Sequence, residues 1–154
     1  MIVVECKNDE LLMKRMGFPR KEIHHAGNKG NVFNKVKKLK KAIGLIDEDP
    51  NSEQPGEYKK YKLMQKEGGI KLLENIHDKD KCVVQVSPYL EHWLLDRAKK
   101  CNVHPGKYSL PDDPKDLHRL TRLDKNRNFM DFLDTLINSD KELAIMREWI
   151  IKAL

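Results

Sequence analysis

Apolar residues in this chain come first in short unbroken runs and later in stripes. Ile2-Val3-Val4 and Ile43-Gly44-Leu45-Ile46 are apolar throughout and lack the alternation of a half-exposed strand. Runs of that kind suit strands buried on both faces, as in parallel sheets. After Asn8, a good N-cap, Leu11, Leu12 and Met16 recur at helical spacing until Gly17 and Pro19 stop them. Lys21 to His25 predicts a second strand, and Val32, Val36 and Leu39 mark one face of a second helix. Ala42 to Ile46 is the third strand. The first third of the chain therefore predicts β-α-β-α-β with tight connections and right-handed crossovers.

Beyond this the pattern loosens. Pro50 to Gly56 is a polar, proline-bounded loop, and a short helix is expected over Tyr58 to Lys66. Ile70 to Asn75 and Cys82 to Val86 predict two strands separated by the turn His77-Asp78-Lys79-Asp80. From Pro88, Leu90, Trp93, Leu94 and Ala98 form a helical stripe. A Gly/Pro/Asp-rich connection then leads to three helices, through Leu117-Leu120, Phe129-Phe132-Leu133-Leu136 and Leu143-Met146-Trp149-Ile150. The expectation is one α/β domain of 154 residues, with a mainly parallel sheet flanked by helices. Residues 1–102 would form its core and 103–154 a helical C-terminal extension packed on it.

Composition narrows the function classes. No segment approaches the roughly 20 apolar residues of a membrane span, and the N-terminus lacks a basic region leading into an apolar signal core. The expected setting is cytoplasmic, with no membrane partner. Cys6, Cys82 and Cys101 are odd in number and fit no CxxC spacing, so neither a disulfide framework nor a zinc knuckle is predicted. His24-His25 is expected to end a strand. The net charge of +6 is unevenly spread: residues 1–46 hold eleven Lys/Arg against four acids, and the remainder nineteen against twenty. A basic N-terminal third can attract phosphate, although plain surface helices also carry such lysines.

The candidate chemistry lies in the acids. The third strand runs into Asp47-Glu48-Asp49, and the first runs into Glu5. If both strands are parallel, Glu5 and Asp47/Asp49 share the carboxyl edge of the sheet, where open α/β sheets place their sites. Residues two apart on a strand face the same side, so Asp47 and Asp49 are expected to converge while Glu48 points elsewhere. Mg²⁺ takes hard oxygen ligands and keeps several waters, so Glu5, Asp47 and Asp49 would suffice to hold it, or Mn²⁺ in its place. Such an ion can bridge a phosphodiester and neutralise its leaving oxygen. Asp9, in the first turn of the first helix, and Glu91, near the start of a later one, could add to the set, but each is also an ordinary acid in a first helical turn.

Val3-Val4-Glu5-Cys6-Lys7-Asn8-Asp9 resembles the first motif of Toprim domains, in which a glutamate ending the first strand precedes a glycine and an acid. Ile46-Asp47-Glu48-Asp49 resembles their Asp-x-Asp motif, and Gly27-Asn28-Lys29-Gly30-Asn31-Val32 resembles a loop of the overcoming-lysogenization-defect nucleases. The specific likeness covers residues 1–50. It implies a Rossmann-like Toprim fold and Mg²⁺-dependent phosphoryl transfer on DNA or RNA, most simply by a small endonuclease. It makes Glu5 the general acid/base or a ligand, with Asp47, Asp49 and Asp9 as metal ligands. Lys7, Gly27, Lys29 and Gly30 would then face phosphate. Cys6 stands where the family has glycine, and the usual companion domains are absent from these residues. A non-catalytic module of the same fold, binding nucleic acid, a protein partner or a second copy of itself, is the alternative expectation.

Overall fold

A computed structural model describes residues 1–154. The apolar run Ile2-Val3-Val4 forms β1 (Ile2–Val4), and α1 (Lys7–Arg15) follows within three residues. The N-cap of α1 is Cys6 rather than Asn8. Its thiol sulfur accepts from the Asp9 N–H at 3.5 Å, and the Asp9 carboxylate accepts from the Cys6 N–H at 2.9 Å. This is a capping box built on a thiol, which the usual Ser/Thr/Asp/Asn preference does not anticipate. β2 (Ile23–His25) follows a 3-10 turn at Arg20–Glu22, which shortens the expected strand. α2 (Lys29–Lys38) starts from Asn28, whose side chain accepts from the Asn31 N–H, and leads into β3 (Ala42–Asp47).

The segment expected as a helix over Tyr58 to Lys66 is instead a 3-10 turn, Gly56–Lys60, and then β4 (Tyr61–Glu67). β4 forms a hairpin with β5 (Ile70–Asn75) across the turn at Gly68-Gly69, and β6 (Lys81–Val86) runs antiparallel to β5. The six strands stand in the order β2-β1-β3-β6-β5-β4, and β2, β1, β3 and β6 are mutually parallel. The architecture is α/β and Rossmann-like. β4 is an edge strand with Leu63 and Met64 exposed, so its own burial shows no two-residue alternation.

The two faces of the sheet are covered unequally. α2 alone covers one of them, seating Val32, Phe33 and Val36 against Val3, Ile46 and Val83. Gly44 permits this approach, since a Cβ there would meet Val32 Cγ1 at 2.8 Å and Val83 Cγ2 at 3.2 Å. The other face carries α1, α3 (Leu90–Lys100), α5 (Arg127–Ser139) and α6 (Lys141–Ala153), with the short α4 (Pro114–Arg119) beside α3. Phe129, Phe132 and Leu133 of α5 join Leu11 and Leu12 of α1 in one apolar cluster, so the C-terminal helices share the core of the sheet. No helix is long and apolar enough to cross a membrane.

Candidate carboxylate site at the sheet edge

β1 leads through α1 to β2 on one side of it, and β2 leads back through α2 to β3 on the other. Between β1 and β3 the chain thus reverses its winding, and the crevice at the carboxyl ends of these strands is where open α/β sheets bind ligands. Glu5 and Asp47 stand there on neighbouring strand ends. Glu5 Oε2 accepts from the Asp47 N–H at 3.2 Å. Two helices begin at the same edge. Asp9 is held in the capping box of α1, and Asp47 Oδ1 accepts from the Leu90 N–H at 3.0 Å. The α3 N-cap, Tyr89, makes no side-chain capping bond, so β3 supplies the acceptor that this helix lacks. The positive ends of α1 and α3 are directed at the cluster.

Glu91, in the first turn of α3 and only 4% exposed, completes the group. Its Oε1 accepts from Asn8 Nδ2 at 3.0 Å and lies 3.3 Å from His118 Nδ1 of α4. Asp47 is raised well above the ordinary aspartate range, by burial first and then by Asp9, Glu5 and Glu91. Asp9 is raised by burial, with Glu5 and Glu91 adding to it against the lowering effect of the Cys6 bonds. Burial also raises Glu5, opposed by the Asp47 N–H and the Lys29 ammonium and reinforced by Asp49. Burial pushes the Cys6 thiol far up, leaving it protonated and unreactive.

Asp49 departs from expectation. Extended geometry does not persist through Glu48: Asp49 has φ 47°, and its N–H donates to the Pro88 carbonyl. Its Oδ1 accepts from the Tyr89 hydroxyl at 3.2 Å, whereas Asp47 turns to Leu90. The two aspartates therefore do not act as a same-side pair on a strand. Glu48 does point elsewhere, to the Ser87 hydroxyl at 2.8 Å and Lys71 at 3.8 Å.

The four residues expected to face phosphate lie in two places. Lys29 is buried and donates to the Glu48 carbonyl at 2.9 Å and to Gln54 Oε1 at 3.2 Å. Most of its donor capacity thus ties the Pro50–Gly56 loop to β3. Gly27 (φ 92°) and Gly30 flank Asn28 at the exposed start of α2. Lys7 is exposed and lines a separate groove of about 550 Å³ along α1, with Lys14, Arg15, Arg20 and Lys125. Asn8, Tyr89 and His118, none of which the sequence marked as a site residue, contact the acids directly. Only the position of Asn8 next to Asp9, and of Tyr89 two residues before Glu91, hinted at this.

No three acidic, histidine or cysteine side chains are arranged to hold a metal ion as they stand. The donor set nonetheless suits a hard cation. The bonds from the protein engage Oε2 of Glu5, Oδ1 of Asp47 and Oε1 of Glu91, and the second oxygen of each has no protein hydrogen bond. No family model matches the chain, and neither a curated protein nor a solved structure matches it.

Proposed function

We propose that this chain performs Mg²⁺- or Mn²⁺-dependent phosphodiester hydrolysis on nucleic acid, as a small endonuclease of the Toprim kind. One observation carries the reading: Glu5, Asp9, Asp47 and Glu91 are gathered at the winding reversal of the sheet, Asp9 and Glu91 buried and Glu5 and Asp47 half-buried, and they repel one another with no arginine or lysine paired to them. Proteins bury such charge at a cost unless a partner arrives. A divalent ion supplies charge neutralisation and polarisation of a phosphoryl oxygen. The free oxygens of Asp47 and Glu5, with Asp9 and Glu91 nearby, would hold it, and Glu5 is the residue positioned to move a proton. Asp49 would serve by orienting Tyr89. Lys7, Gly27 and Gly30 offer donors to flanking phosphates, and Lys29 adds charge at closer range.

Cleavage of supercoiled, linear and single-stranded DNA and of RNA, with Mg²⁺ or Mn²⁺, tests the reading. Equal cleavage by wild type and by the Asp47→Asn/Asp49→Asn variant would sink it. A second reading, a non-catalytic module that binds nucleic acid or a protein partner, draws support from the left-handed turn at Asp49, which separates the two aspartates. Tight binding that is indifferent to metal, with no turnover, would favour that reading.

A further inference from the structure

A cleft of about 560 Å³ opens beside the carboxylates, between the start of α3 and the segment leading into α4. Tyr89, Glu91, Pro114, Lys115, His118 and Arg119 line it. It shares two residues with the acidic edge: Glu91, whose charge raises Asp9 and Asp47, and Tyr89, whose hydroxyl donates to Asp49.

The polar groups of the lining are committed in a one-sided way. Asp113 spends its carboxylate on capping α4, accepting from Lys115 N–H at 2.9 Å and Asp116 N–H at 3.1 Å. Glu91 is held by Asn8 and His118. Lys115 and Arg119 have no ion-pair partner, and both are exposed. The cleft therefore presents two unpaired cations, while one oxygen of each of its acids is already engaged, Asp113 Oδ1 by the α4 cap and Glu91 Oε1 by Asn8 and His118. The Tyr89 and Pro114 rings add flat carbon surface. α4 holds this arrangement in place, since Leu117 is fully buried in the core.

We infer that the cleft receives one unpaired nucleotide of the substrate, its base against Tyr89 and Pro114 and its phosphate beside Lys115 and Arg119. Aromatic rings stack with any base, and cations track the backbone, which is how single strands are held without sequence preference. The volume lies within the range of small-molecule pockets and is too small for a stack of base pairs. This inference rests on the proposed function and narrows its substrate to single-stranded or unpaired nucleic acid.

The test measures binding of fluorescein-labelled short single-stranded DNA and RNA, and of the corresponding duplexes, to metal-free wild type and to Lys115→Glu/Arg119→Glu. Lys152→Glu, on the exposed face of α6, serves as a control. The expected result is tighter binding of single strands than of duplex, weakened about tenfold or more by the double variant at unchanged melting temperature and little changed by Lys152→Glu. In the cleavage assay the double variant should raise KM and leave kcat unaltered. Equal binding of duplex, or no loss in the double variant, overturns the inference whether or not the protein cleaves. If single strands bind in the cleft and no cleavage is found, the hydrolytic reading fails and this one stands.

Discussion

Two groups of charge meet α3, one at each end, and they are built on opposite principles. At its N-terminus stand Glu5, Asp9, Asp47 and Glu91, with two helix ends, the partly engaged Lys29 and the exposed His118 imidazole as their company. Further along, Arg97 bridges Asp140 at 2.8 Å and Glu142, and Glu142 also accepts from Gly69 N–H at 2.8 Å and Trp93 Nε1 at 3.1 Å. That second network locks the β4–β5 hairpin to α3 and α6. Burial alone would raise Asp140, but Arg97, the Leu143 N–H and the Cys101 thiol take it below the ordinary range. Balanced charge ties α3 to α6 and the hairpin; the unbalanced charge at the sheet edge is what the proposed cation would neutralise.

The sharpest contrast should come from removing one member of each group. Arg97→Ala strands two buried carboxylates and is expected to cost about 3–5 kcal/mol by urea denaturation. Asp47→Asn keeps an acceptor for the Leu90 N–H while deleting a repelling charge. Metal-free stability should rise and cleavage should fall by more than about 100-fold, beyond the usual loss for an outer-shell partner. Destabilisation by Asp47→Asn would erase the distinction between the two groups.

The pH dependence should also diverge. Asp9 and Asp47 are raised in the folded protein, so their contribution to stability is fully present below the ordinary aspartate pKa and is lost as pH rises through their folded values. Asp140 is lowered, so its contribution is present above the ordinary value and is lost as pH falls through its folded value. Mg²⁺ should reverse only the alkaline loss, by up to about 2.7 kcal/mol at a hundredfold excess over Kd, with protons released on binding. Calorimetry at several pH values, with and without chelator, reads both limbs. The smallest effect is expected at His118→Ala. The imidazole is largely exposed, so its contact with Glu91 should contribute under about 1 kcal/mol, even though it touches the acidic group.

Much of the carboxylate edge was legible because continuous apolar runs identify parallel strands, and an acid ending such a run has little choice of position. Glu5 and Asp47 follow from that alone. Tyr61–Glu67 was not legible as a strand: its residues 62–66 are all exposed, and pairing with β5 creates it rather than any periodicity of its own. Cys6 hid as an N-cap because thiols are weak acceptors. Asp49 was misplaced because an aspartate can enter the left-handed region and end the alternation that would have aimed it. The approach of Glu91 to the other acids depends on β6 lying next to β3, and that pairing crosses more than thirty residues of chain.

The bond from the Leu90 amide to Asp47 makes the first turn of α3 a built-in gauge. Any cation drawing electron density from Asp47 weakens that bond, so the Leu90 ¹⁵N shift and exchange rate should register occupancy of the edge without a reaction being run. The same helix carries Trp93 and Arg97 onward to the hairpin and α6. Loading one end of α3 would therefore be audible, in solvent exchange, at the other.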